Sequence, residues 1–244
     1  MSRWQQTALG LGAVLLGVLL FWPASLVKSP LEQATGGRVR VLMTQGTWWH
    51  GSALLGLNDG GKTQAIPGVW QWQLGMHWAS GPGLSISLQH PTLQSPVHLR
   101  GDWQGINVDA VALQWPAAWL TGLGAPFNTI KPEGVLVLNM PAWARGQDFR
   151  LEVVWRDAQA ALASIRPLGE YTLGLNGSAS GQWAMRLSTV KGPLLMEGHG
   201  EWKTGQRVVF NGYASAQPQA REALTGLLSQ MGRLEGDRYR LGVF

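Results

Sequence analysis

The chain has 244 residues, only 14% of them charged, and a formal net charge of +5. Its positive residues, such as Arg150, Arg156, Arg166, Arg186 and Arg207, are scattered rather than run together, which excludes the basic footprint of a nucleic-acid binder. Cysteine is absent, which excludes disulfides and thiolate metal or redox chemistry. With 45% apolar residues the chain can build a core, and its 33 glycines and 14 tryptophans point to strands, turns and amphipathic rings.

The first element in chain order is the run Thr7 to Val27, which carries no charge and is long enough to cross a bilayer as a helix. Arg3 precedes it, and Trp4 and Trp22 stand where an interfacial aromatic belt would lie. A short positive tail before a first span favours an inside amino terminus, so residues 1–28 are expected to be a cytoplasmic tail and single transmembrane anchor. A cleaved signal peptide fits less well, because Phe21-Trp22-Pro23 makes a poor cleavage site. Gly10, Gly12 and Gly17 would let the anchor pack closely on a neighbouring helix.

Residues 29–37 read as a Pro/Gly-bearing linker, and residues 38–244 as an exported β-rich domain. Arg38 to Met43 alternates as a strand does, and Gly46 to Gly51 turns the chain into a second strand, Ser52 to Leu57. From Val69 the period is two, with Trp70, Trp72, Leu74 and Met76 on one face and Gln71 and Gln73 on the other. Leu84 to Leu88 repeats the alternation, and Val97 to Trp103 with Ile106 to Trp115 reads as the next hairpin. Such alternation predicts antiparallel strands with one buried and one wetter face.

Three stretches read as helices. Pro116 to Leu123 is short and stops at Gly124; Asp157 to Ile165 is rich in alanine; Pro218 to Met231 places Ala220, Leu224, Leu227, Leu228 and Met231 at helical spacing before Gly232. Three collinear matches suggest a duplicated unit, residues 66–140 and 147–244. Pro96 to Trp103 resembles Pro193 to Trp202, Leu120 to Leu123 recurs as Leu224 to Leu227, and Glu133-Gly134 recurs as Glu235-Gly236.

Gly56 to Thr63 fits the phosphate-loop spacing, but Pro67-Gly68 leaves no room for the helix that would present backbone N–H groups to a phosphate. The histidines at 50, 77, 90, 98 and 199 show no metal-type pairing. Asp102 and Glu201 could be a hydrolytic pair, yet they occupy matching repeat positions just before a tryptophan, which is more economically structural. No G-x-S-x-G elbow is present. The sequence therefore gives no catalytic, cofactor-binding or metal residues and predicts no enzyme and no cofactor. The tryptophans at 70, 72, 78, 103, 115, 155, 183 and 202 fit sheet faces, or, if exposed, a glycan-stacking surface.

Trp22-Pro23-Ala24 at the end of the anchor, Gly46-Thr47-Trp48-Trp49-His50-Gly51-Ser52-Ala53, and Leu228 to Arg233 before a charged closing strand together resemble the type II secretion system protein N family. The second of these segments is also similar to AsmA-like proteins. The resemblance implies an inner-membrane, single-pass, periplasm-facing component of the machinery that moves folded exoproteins across the outer membrane, with no catalytic residues. The expected architecture is mainly β: one N-terminal transmembrane helix, then a curved, half-barrel-like antiparallel sheet body from two similar units with small helices. The expected partners are other type II secretion components and the inner membrane. The alternative is an AsmA-like lipid-binding groove, which would need Trp70 to Met76 and Trp183 to Leu187 left uncovered.

Overall fold

The computed structural model describes Trp4 and residues 21–78, 81–124 and 127–241. The strands in chain order are β1 (Val39–Gly46), β2 (His50–Asn58), β3 (Thr63–Ala65), β4 (Trp70–His77), β5 (Gly83–Gln89), β6 (Val97–Asp102), β7 (Gly105–Val108), β8 (Val111–Pro116) and β9 (Pro132–Met140). They continue with β10 (Trp143–Ala144), β11 (Phe149–Ala160), β12 (Gly169–Gly177), β13 (Gln182–Lys191), β14 (Leu194–Lys203), β15 (Phe210–Ala216), β16 (Gly232–Glu235) and β17 (Arg238–Leu241). Among the described residues from 21 onward, helices are few: α1 (Lys28–Ala34), α2 (Phe127–Ile130), α3 (Arg221–Met231), and 3₁₀ segments at Ala24–Val27, Ala117–Leu123 and Pro218–Ala220.

All pairings are antiparallel and fall into two open sheets. The first has the order β1-β2-β4-β5-β6-β7-β10, with β3 folded back on β2; the second runs β16-β17-β15-β14-β13-β12-β11-β9-β8. The expected mainly antiparallel β body is therefore present, and the sheets do not close into a barrel. They are joined where residues 92–94 run along the outer edge of β8: the Gln94 amide donates to the Ala112 carbonyl at 2.9 Å and the Gln114 amide to that of Thr92 at 3.0 Å.

The alternation seen in the sequence becomes an apolar and a polar face in each sheet. In the first, Leu74, Ile86, Leu99, Val108 and Trp143 form one cross-strand row. In the second, Leu113, Leu138, Val153, Leu173, Leu187 and Gly198 do the same. Each apolar face has its own core. Over the second sheet α3 lays Leu224, Leu227 and Leu228, all fully buried, onto Leu194, Met196 and Ala214. Burying a leucine side chain of this kind contributes roughly 1.5–3 kcal/mol. Over the first sheet Ala24, Val27 and Leu31 pack on Val41, Ala53 and Trp72.

This second core corrects the expected end of the anchor. Ala24 is 1% exposed and sits in a 3₁₀ segment against the sheet, not at the end of a span reaching Val27. Pro23 forms a bridge to Thr47, and the Trp48 amide donates to the Trp22 carbonyl at 3.1 Å. The rest of the expected span, residues 7–20, lies outside the described residues. Among those described, no helix is long and apolar enough to cross a membrane. The expected linker 29–37 is corrected as well: α1 occupies most of it, and the Glu32 carboxylate accepts from the Val41 amide at 3.1 Å, so the segment is tied to β1.

Two further expectations fail. Ile106 to Trp115 is not one strand: β7 closes in the first sheet at Val108, and after Asp109 the chain enters the second sheet as β8. Asp157 to Ile165 is not a helix: Asp157 (φ 48°) sits in a bulge of β11, which runs on to Ala160 and then turns. The two other expected helices are present at Ala117–Leu123 and at Pro218–Met231.

Candidate interaction surface

The residues weighed as chemistry in the sequence are scattered by the fold. Gly56 to Thr63 is a hairpin turn: the Asp59 carboxylate accepts from the amides of Gly61 and Lys62 at 2.9 and 2.7 Å. β3 then returns along β2, so no helix presents amides to a phosphate. Those two backbone donors also hold the Asp59 carboxyl below its usual range. Asp102 accepts from the amides of Gln104 and Gly105 in its own turn, while Glu201 lies on β14 in the other sheet. The pair therefore does not converge on a substrate.

The histidines are separated too. His98 and Arg100 both face Asp109, with His98 Nδ1 3.1 Å from a carboxylate oxygen, and they fix the point where the chain changes sheets. His90 is buried against Trp70, rings 4.4 Å apart, and burial pushes its imidazole below the usual histidine range. Among the described residues no three His, Asp or Glu side chains gather as a metal site would need.

What the fold does bring together is aromatic. Phe149, Gly177, Trp183 and Trp202 lie opposite one another across β11 to β14. The rings of Trp183 and Trp202 are 6.2 Å apart and within 9° of parallel, and Phe149 lies 5.6 Å from Trp183. Trp143, on the first sheet, meets Phe149 edge-on at 6.4 Å, so the row spans both sheets. Gly177 makes room for it: a Cβ there would lie 2.7 Å from the Trp183 ring. An open cleft of about 730 Å³ adjoins the row, lined in part by Arg150, Asn176 and Glu201. The sequence singled out Trp183 and Trp202 but not Phe149 or Trp143. Only strand register relates those positions, and no local spacing reveals it.

The same register places the hairpin turns. In the first sheet the β1–β2, β4–β5 and β6–β7 turns share one end, because His50 pairs with Gln73 and Leu84 with both Met76 and Gly101. Phe21 and Trp22 reach the body at this end, through Thr47 and Trp48. Exposed there are Trp78 (70%), Trp103 (77%) and Met76 (73%), beside Leu84 and Ile106. The Arg145 amide donates to the Ile106 carbonyl at 2.9 Å, which sets the turn entering β11 beside the β6–β7 turn. The opposite edges of the body differ in kind. β1 is blunted by Glu32 and β8 is capped by residues 92–94, whereas β16 ends its sheet with Arg233, Leu234 and Glu235 exposed.

No curated protein and no solved structure matches the chain. A family described as type II secretion system (T2SS), protein N, does match, over residues 37–242, which takes in β1 to β17 and every helix after α1. The chain belongs to that family of secretion-system components.

Proposed function

We propose that the chain is an inner-membrane-tethered, periplasm-facing scaffold that couples other type II secretion components during transport of folded exoproteins. Family membership across residues 37–242 carries this reading, since it covers nearly the whole folded body. The uncharged sequence from Thr7 to Leu20 supports the tether.

The shape of the edges supports a role by contact. A sheet edge with unpaired amides and carbonyls is a template for another strand, and among the described residues no strand pairs with the outer edge of β16, while β1 and β8 are blocked. Its exposed Leu234 offers an apolar anchor between Arg233 and Glu235. A photo-crosslinking residue at Leu234, in cells that express the whole secretion system, is expected to capture another component of that system. The same residue at Ser188, in the middle of the polar face, should not. Equal capture at both positions, or none at either, would remove β16 as the contact.

One observation favours lipid handling as a second function. Leu151, Val153, Leu173, Leu175 and Met185 are only half-buried on the apolar face of the second sheet, beyond the reach of α3. Trp183 to Leu187 is part of this half-open region, but Trp70 to Met76 is not uncovered throughout, because Trp72 lies under Ala24. Acyl chains co-purifying with the folded body in native mass spectrometry would favour lipid handling; a lipid-free body would leave the scaffold.

A further inference from the structure

We propose that the hairpin end bearing Trp78 and Trp103 lies on the surface of a phospholipid bilayer, with both indoles in the interfacial layer. The inference rests on the tethered reading above, and its test keeps the two apart.

Three observations converge. Trp78 and Trp103 are the most exposed tryptophans among the described residues of the sheets, and they stand on turns rather than on a sheet face. Register sets these two turns level with each other, since Met76 lies opposite Leu84 and Leu84 opposite Gly101. Met76, Leu84 and Ile106 stand just behind them and are exposed as well, so the end presents a contiguous apolar rim. A patch of this kind on an otherwise polar hairpin end marks a binding surface.

The occupant follows from chemistry and from chain geometry. Indole is amphipathic, with an apolar ring and one N–H donor, and it partitions to the boundary between acyl chains and headgroups. The segment from Trp78 to Gly83 carries no charge, nor does Trp103 to Ile106. Phe21 and Trp22, also exposed, join the body at this same end, and the uncharged run from Thr7 to Leu20 leads directly into them. A bilayer that took up that run would lie close to this end of the sheet, where Trp22 and Pro23 meet Trp48 and Thr47. Arg145, in the turn beside Ile106, adds a positive charge at the level of the headgroups.

The absence of cysteine makes the test direct. The full chain would be prepared as single-cysteine variants Trp78→Cys, Trp103→Cys, Ser164→Cys and Leu16→Cys. Each is labelled with an environment-sensitive fluorophore and placed in phosphatidylethanolamine/phosphatidylglycerol nanodiscs with spin-labelled quencher lipids. The expected result is a blue shift and at least twofold quenching at positions 78 and 103, and neither at 164, which lies among the helices at the opposite end. Absence of quenching at 78 and 103 overturns the proposal, whatever residue 16 reports. Residue 16 answers separately for the tether: unquenched there but quenched at 78 and 103 would reject the tether and leave the surface contact standing. Protection of 78 and 103 in native membranes, with no quenching in pure lipid, would assign the rim to a protein partner and equally overturn it.

Discussion

The imidazole of His90 stacks on the indole of Trp70, ring centroids 4.4 Å apart and planes inclined by 21°. Nδ1 accepts from the Thr92 amide at 3.2 Å, which leaves the ring proton on Nε2, facing Gly68. Trp70 stands on β4, and His90 follows β5, so the stack pins the chain where residues 92–94 leave to cap β8.

Burial holds His90 below its unfolded pKa of about 6.5. Below that pH the unfolded chain binds a proton that the folded chain refuses, so stability falls as pH drops through about 6.5 and is fully present above it. Urea unfolding of the folded body should show a lower midpoint near pH 5.5 than near pH 7.5. His90→Gln should flatten this dependence. An unchanged slope would mean that other groups set it.

Ala24 belongs to the core of the first sheet, and a substitution there separates the two roles that its sequence allows. Ala24→Leu would be harmless in lipid, but against Val41, Ala53 and Trp72 it overpacks, at a cost of about 1–3 kcal/mol. For a body of this size that predicts a fall in Tm of several degrees by calorimetry. An unaltered Tm would return Ala24 to the anchor.

Gly177→Ala should be poorly tolerated although Gly177 has no unusual backbone angle, because the added methyl meets the Trp183 ring at 2.7 Å. Overpacking of this order costs about 1–3 kcal/mol and should displace Trp183 from Trp202. Loss of exciton-coupled near-ultraviolet dichroism from the stacked pair is the expected sign. The double variant Gly177→Ala, Trp183→Leu should recover part of the stability.

The Tyr171 hydroxyl lies 3.0 Å from the Leu168 carbonyl and 2.9 Å from that of Leu194, and burial pushes its pKa well above the ordinary tyrosine value. Tyr171→Phe keeps the ring against Trp155 but removes this link, so a loss of roughly 1 kcal/mol is expected in urea unfolding. A neutral result would show that the two carbonyls find other donors.

Most strands were legible in the sequence because alternation is local: Trp70, Trp72 and Leu74 share a face whatever the strand pairs with. Helix α3 was legible for the same reason, with Leu224, Leu227 and Leu228 on one stripe and Gly232 at its end. The alanine-rich stretch after Asp157 misled because local propensity favours a helix there. In the fold Ala158 and Ala160 pair with neighbouring strands as part of β11, and with Ala163 they are buried in the same core as the leucines of α3, so tertiary packing overrides propensity. For the candidate surface, the sequence could name Trp78, Trp103, Trp183 and Trp202 but could not sort them. The first two point outward from turns, and the last two lie in a row closed by Phe149 and Trp143.

By itself the sequence determined the β-rich class, the absence of thiol chemistry and the faces of most strands, since composition and a period of two act over a few residues. The tertiary structure alone decided that the chain changes sheets after Val108, that Ala24 is buried against β1 and β2, and that Trp78 and Trp103 share an end with Trp22. Those relationships depend on which distant segments pair and in what register, and pairing energy comes from partners that no local pattern identifies.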